Sequence, residues 1–130
     1  MCIRDSVVTE NQRTLDMRQA LKHDDRKAIS ELMARSHASM RDDFEITTPQ
    51  IDALVEIVTS VIGSEGGVRM TGGGFGGCIV ALVQKQRVSD VIGAVDRDYP
   101  EISGHTATTF VCNAADGAFS NQAGISELAL

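Results

Sequence analysis

Met70-Thr71-Gly72-Gly73-Gly74-Phe75-Gly76-Gly77-Cys78 places five glycines in the six residues from Gly72 to Gly77. Glycine gives up more backbone entropy on ordering than any other residue and buries no side chain. A run this dense implies that backbone passes close to something, or takes dihedrals that a Cβ would block. Strand-like residues flank it on both sides, Gly67 to Thr71 before and Cys78-Ile79-Val80-Ala81-Leu82-Val83 after. The loop is therefore held by a scaffold, and a flexible linker does not fit.

The known phosphate-binding patterns narrow the reading. Gly72-x-Gly74-x-x-Gly77 satisfies the dinucleotide fingerprint literally, and Asp96 sits at about the right distance for a ribose contact. That fingerprint needs a helix directly after the glycines, because the helix N-terminus holds the pyrophosphate. Here Cys78–Val83 reads as a strand, so the fingerprint fails. A Walker A loop also fails, since no Lys-Ser/Thr closes the run. Two strands joined by a glycine-rich turn remain. Such a turn can be a wide hairpin loop that uses glycine for positive φ. It can also be a nest of backbone N–H groups near an anion, or a surface for another phosphate-binding loop. The flanking Arg69 is compatible with either.

Working outward, helices precede the loop. Val7 to about Lys22 reads as a helix on which Leu15, Met17, Ala20 and Leu21 can share a face. His23-Asp24-Asp25 breaks it, and Asp24 or Asp25 can cap a second helix that runs to about Met40. On that helix Ile29, Leu32, Met33, Ser36 and Met40 follow the spacing of one face. Phe44–Thr47 allows a short strand. Thr48 as N-cap and Pro49 at the first position open the clearest helix, with Ile51, Leu54, Val55, Val58, Val61 and Ile62 as its stripe and Gly63 as its C-cap. After the loop, Cys78–Val83 suits a central strand covered on both faces, or one with helices on one side. Val88, Val91, Ile92, Val95 and Tyr99 give a fourth amphipathic helix, and Pro100, Ser103 and Gly104 a turn. Thr106–Cys112 reads as a further strand, and 119–130 as a loose tail. From the third helix onward the order is helix, strand, strand, helix, strand. With one more strand before it, this is the βαββαβ plan of a ferredoxin-like α+β sandwich, an antiparallel sheet with helices on one face and two extra N-terminal helices.

Composition is that of an ordinary globular chain of 130 residues, long enough for one domain. The net charge of −6 argues against nucleic acid or an anionic membrane as partner. No apolar run approaches the roughly 20 residues that span a bilayer. The three cysteines, Cys2, Cys78 and Cys112, form no CxxC pair, and reduced, buried thiols in a cytoplasmic protein fit them best.

Val68-Arg69-Met70-Thr71-Gly72-Gly73-Gly74-Phe75-Gly76-Gly77-Cys78 resembles the third, C-terminal signature of the GHMP small-molecule kinases, in its galactokinase form. The same pattern continues upstream in Leu32-Met33-x-x-Ser36-His37-x-Ser39-Met40-Arg41-Asp42-Asp43-Phe44-Glu45-Ile46-Thr47 and in Pro49, Asp52, Leu54, Val55 and Glu56. Val8-Thr9-Glu10-Asn11-x-Arg13-Thr14 and Ala115-Asp116-Gly117-Ala118 extend it to about residues 7–118. Met1–Ser6 departs from it and reads as a non-native start. The resemblance implies the C-terminal α+β domain of an enzyme that phosphorylates α-D-galactose at its 1-hydroxyl with ATP and Mg²⁺, in the cytoplasm, as part of the Leloir pathway. It also implies that the sugar-recognition signature, the second, phosphate-cradling signature, and the catalytic Asp and Arg lie in an N-terminal part, through which galactose and ATP would bind. On that reading this stretch alone is inactive and holds no catalytic residue and no metal. Its contribution is the loop Gly72, Gly73, Gly74, Phe75, Gly76 and Gly77, with Arg69, Thr71 and His37 as possible support. A sugar sensor built on the same domain, or a free-standing ferredoxin-like binding module, would share these features.

The remaining candidates read as structural. Asp42-Asp43 follows Arg41 at a helix end, where capping or pairing with Arg41 is expected, although paired carboxylates also serve acid–base work. His37 suits a half-buried, satisfied histidine near an apolar stripe, and its place in the family pattern keeps it of interest. His23 and His105 fall at turns, and no two histidines are spaced as metal ligands. Met17, Met33, Met40 and Met70 fit packing.

Overall fold

The computed structural model describes residues 3–114, with side chains from residue 7 onward. The order is α1 (Ile3–Lys22), α2 (Arg26–Asp42), α3 (Pro49–Ile62), β1 (Gly67–Thr71), β2 (Cys78–Leu82) and α4 (Val88–Ser103), with a 3₁₀ turn at Lys85–Arg87 leading into α4. This is an α+β fold, and its strands pair antiparallel in the register Gly67↔Leu82 to Thr71↔Cys78. The hairpin expected around the glycine run is thus formed.

Local chemistry sets the helix limits. Asp25 caps α2 by accepting from the Ala28 N–H at 3.0 Å. Thr48 caps α3 by accepting from the Ile51 N–H at 3.3 Å, with Pro49 opening the first turn. Gly63, at φ +57°, closes α3 by donating its N–H to the Thr59 carbonyl at 2.9 Å. Helix α1 begins at Ile3, four residues earlier than the apolar pattern suggests. Its stripe is weak: Ala20 is buried, but Leu15 and Leu21 are exposed.

Period-two alternation places Val68 and Met70 of β1 and Ile79 and Ala81 of β2 on one face. Val55, Ile57, Val58 and Ile62 of α3 and Ala94, Val95 and Tyr99 of α4 cluster there with Val68, and Ile79 and Ala81 pack against them. Met70 is fully buried. The Arg87 guanidinium ties the start of α4 to the end of α3, donating to the Val61 carbonyl at 2.7 Å. A second cluster, Ala20, Ile29 and Met33, joins α1 to α2. Helix α2 runs so close to β1 that a Cβ on Gly67 would meet the Met33 sulfur at 2.6 Å.

Several local expectations are corrected. Strand β2 has its Cys78, Val80 and Leu82 face exposed, so of its two expected arrangements the one with helices on a single side holds. Cys78 and Cys112 are exposed thiols, because Cys78 falls on that open face and Cys112 on an unpaired segment. Phe44–Thr47 is irregular chain, occupied with the glycine loop as described below. Thr106–Cys112 has no strand partner among the described residues, and Phe110 and Val111 stand exposed. Pro100 does not end α4, which runs through it to Ser103. Proline's fixed φ suits a helix, and near the C-terminal end it removes only one N–H bond. The turn still closes, with the Gly104 N–H donating to the Pro100 carbonyl at 3.0 Å. Ile57, left off the expected α3 stripe, is buried, which makes α3 apolar on more than one side. The motif at 115–118 and the tail at 119–130 lie outside the described residues.

Truncating the most buried side chain tests this core. Met70→Ala is expected to lower unfolding free energy by about 2–5 kcal/mol, and Thr48→Ala by about 1 kcal/mol through loss of the cap. Urea denaturation of the two variants beside the parent chain measures both.

Candidate functional site

The glycine loop owes its shape to backbone that side chains would oppose. Gly72, Gly74, Phe75, Gly76 and Gly77 all have positive φ, which leaves Gly73 as the loop residue with ordinary φ. Phe75, at φ +60°, sits where a non-glycine residue is strained. Its N–H donates to the Ile46 carbonyl at 2.6 Å, which holds it there. Gly74 has both constraints: φ is +87°, and a Cβ would come within 2.7 Å of the Ile46 Cβ and carbonyl oxygen. A Cβ on Gly73 would meet nothing within 4 Å. The loop tip therefore docks on the chain between α2 and α3, and the Phe75 ring projects outward, 77% exposed. The Thr71↔Cys78 pair closes its base.

The three residues expected to support the loop fall into two groups. His37, on α2, is 5% exposed, more deeply buried than its sequence context suggests. Its Nδ1 accepts the Met70 N–H at 3.3 Å, two residues before the first loop glycine. Its Nε2 faces Asp52 Oδ1 on α3 at 3.2 Å, a close approach without hydrogen-bond alignment. Asp52 Oδ2 accepts from the Thr47 hydroxyl at 3.2 Å. Thr71 closes the hairpin as noted. Arg69 turns elsewhere: its Nη1 donates to the Ser36 hydroxyl at 2.8 Å and approaches Glu10 Oε1 at 3.2 Å. Glu10 also accepts from Arg13 at 2.7 Å, so Arg69 ties β1 to α1 and α2.

Electrostatics follow from these contacts. Burial lowers the His37 pKa below the ordinary imidazole value, and the Asp52 charge opposes this without overcoming it. The ring is therefore neutral at pH 7, as the acceptor role of Nδ1 requires. Burial pushes the Glu10 carboxyl up, but hydrogen bonds from Ser36 and Arg13 and the charges of Arg13 and Arg69 outweigh it and hold the group below its ordinary range. Arg41 grips Asp42 with two bonds of 2.8 and 3.0 Å, and Asp43 accepts from the Ser39 hydroxyl at 2.9 Å, so this carboxylate pair serves the helix end. Among the described residues no group of three or more His, Cys, Asp or Glu could hold a metal ion. No helix there is long and apolar enough to cross a membrane.

The family model described as "GHMP kinases C terminal" matches residues 17–101. The chain belongs to this family. The GHMP kinase domain is also similar to a solved structure, galactokinase of Lactococcus lactis complexed with galactose. Identity is 39% and the TM-score 0.69, over 75% of this chain. The match takes in 25% of that galactokinase, so the chain spans about a quarter of its relative's length. Sequence reasoning found the loop and His37 but missed Asp52 and Ile46 as their neighbours, and Glu10 as the partner of Arg69. Asp52 and Ile46 carried a signal, a carboxylate and an apolar residue inside the motif that also holds His37.

A buried neutral histidine links stability to pH. The unfolded chain has the ordinary His37 value of about 6.5, and the folded chain a lower one. Between the two values the unfolded chain binds the extra proton, so stability falls as pH drops below about 6.5. The urea midpoint is expected to be lower at about pH 5.5 than at about pH 7.5, and His37→Asn to shrink that difference.

Proposed function

We propose that this chain is the C-terminal part of a cytoplasmic galactokinase, an ATP-dependent enzyme that phosphorylates α-D-galactose at its 1-hydroxyl. The observation that carries the proposal is the glycine loop, held at tip and base within a GHMP kinase domain whose solved relative is a galactokinase with galactose bound. Phosphoryl transfer depends mainly on positioning and charge stabilisation, with little covalent work for the protein. A backbone loop with a run of positive φ presents N–H groups to an anion without a mobile side chain. It suits one wall of such a site.

ATP with Mg²⁺ would supply the transferable phosphoryl group and the cation that offsets its charge. The loop fits the anionic side of that assembly through Gly72–Gly77 backbone. The described residues do not fit the cation, since no acidic cluster faces the loop. The Arg69 guanidinium is engaged by Glu10 and Ser36 and is not free for phosphate. On this reading, base, sugar contacts and metal ligands belong to the part of the galactokinase that this chain does not span. The exposed Phe75 ring marks the side of the loop that this part would cover.

Replacing the matching quarter of Lactococcus lactis galactokinase with this chain tests the reading. The chimera is expected to phosphorylate galactose with ATP, and the chain alone to give no turnover. A folded chimera that binds galactose without turnover would instead support a non-catalytic sugar sensor. Gly73→Leu in the chimera should lower kcat at least about tenfold with little change in melting temperature, because a side chain there meets no protein atom and intrudes only on whatever the loop faces.

A further inference from the structure

We propose that His37 and Asp52 form a positioning unit for the glycine loop, setting the loop's backbone from beneath without touching substrate. The inference rests on the kinase reading above for its catalytic consequence, but its structural content stands by itself. His37 bridges three elements. It lies on α2, accepts the Met70 N–H of β1 at Nδ1, and faces Asp52 of α3 at Nε2. Met70 is the last fully buried residue before the loop, so its N–H is a fixed point from which Thr71 and Gly72 depart. Asp52 continues the connection, because its second oxygen holds Thr47, next to Ile46. Ile46 in turn accepts the Phe75 N–H and packs on Gly74. Both ends of the arrangement therefore reach the loop. Met70 fixes its entry, Ile46 fixes its tip, and the imidazole–carboxylate pair sets the spacing between them.

This assignment explains why a polar pair is kept where apolar packing would be simpler. His37 Nε2 and Asp52 Oδ1 are both shielded from solvent and have only each other. Burying such groups is unfavourable unless each finds a partner, and a buried pair of this kind can hold neighbouring elements in register. An aliphatic residue at 37 would fill the volume but leave the Met70 N–H without an acceptor.

Two substitutions separate the two ring nitrogens. Asparagine places its oxygen near the Nδ1 position and preserves the acceptor for Met70, whereas glutamine reaches toward Asp52 and leaves the Met70 N–H unpaired. Amide hydrogen exchange on the 130-residue chain reads the result directly. His37→Gln is expected to speed exchange at Met70 by about tenfold or more, with amides in the middle of α3 unchanged, and His37→Asn to keep Met70 protected while Phe75, cut off from Asp52, exchanges faster than in the parent chain. Unchanged Met70 exchange in His37→Gln overturns the proposal. So does parent-like exchange at Phe75 in His37→Asn, since the loop tip would then be independent of the pair. If His37→Gln does not fold, ¹⁵N spectra of the parent chain decide: the proton must reside on Nε2, and a proton on Nδ1 overturns the assignment. In the galactokinase chimera, His37→Gln should lower kcat about tenfold or more with the KM for galactose within about twofold, and His37→Asn should recover part of it. Equal losses in both variants would indicate general damage and overturn the positioning role. A parent chimera without turnover would refute the kinase reading and leave the exchange result to judge this one.

Discussion

The N–H of Met70 is buried with its residue, and a buried backbone donor must find an acceptor. In a wider sheet a neighbouring strand would supply it. Here α2 runs along β1, and the acceptor is the imidazole of His37. Much of the domain's geometry follows from this substitution of a side chain for a strand. The ring has to be neutral, and burial, helped by the Arg41 charge, keeps it so against the pull of Asp52. It has to be oriented, so a carboxylate stands at its far nitrogen. Helix α2 must come close, and Gly67 has no side chain that would obstruct it.

The glycine loop is the second consequence. A loop in which most residues have positive φ has no preference of its own for one shape, because glycine's freedom is also its liability. Something outside must choose. The irregular stretch between α2 and α3 does so through one hydrogen bond and one close contact at Ile46. That stretch is pinned at its far end by the Thr48 cap and by Thr47 on Asp52. The residues the sequence suggests as a short strand are thus used as a mould. Their backbone groups are spent on the loop and on the end of α2, where the Ile46 N–H donates to the Met40 carbonyl at 3.0 Å.

What could be read in advance and what could not divide along a physical line. Local signals were legible. The Asp25 and Thr48 caps, the Gly63 stop, the α3 stripe and the hairpin around the glycines are each decided within a few residues. The order of these elements gave the α+β architecture, and the family motif agreed with it. Relations between distant elements were less accessible. Ser36 looked like one more residue on an apolar face, but it meets Glu10 and Arg69 from two other elements. Arg69 looked available to an anion, and its partners lie 33 and 59 residues away in sequence. Asp52 read as the polar side of a helix, yet it faces a buried ring. In each case the side chain's role depends on which helix crosses which strand, and periodicity does not carry that.

Thr106–Cys112 shows the same limit from the other side. Its alternation of threonine with Phe110 and Cys112 is as strand-like as that of β2, but β-structure is a property of pairs. A segment becomes a strand when a neighbour accepts and donates its backbone bonds and covers one of its faces. Among the described residues this segment has no such neighbour, although Ala107 packs against the core. Strand β2 reaches strand geometry with the same kind of residues because β1 lies beside it and α3 and α4 lie beneath. The difference between the two segments is therefore one of company and not of sequence. It is the same rule that makes His37 necessary: backbone groups that lose one partner must be given another, and where none is supplied regular structure ends.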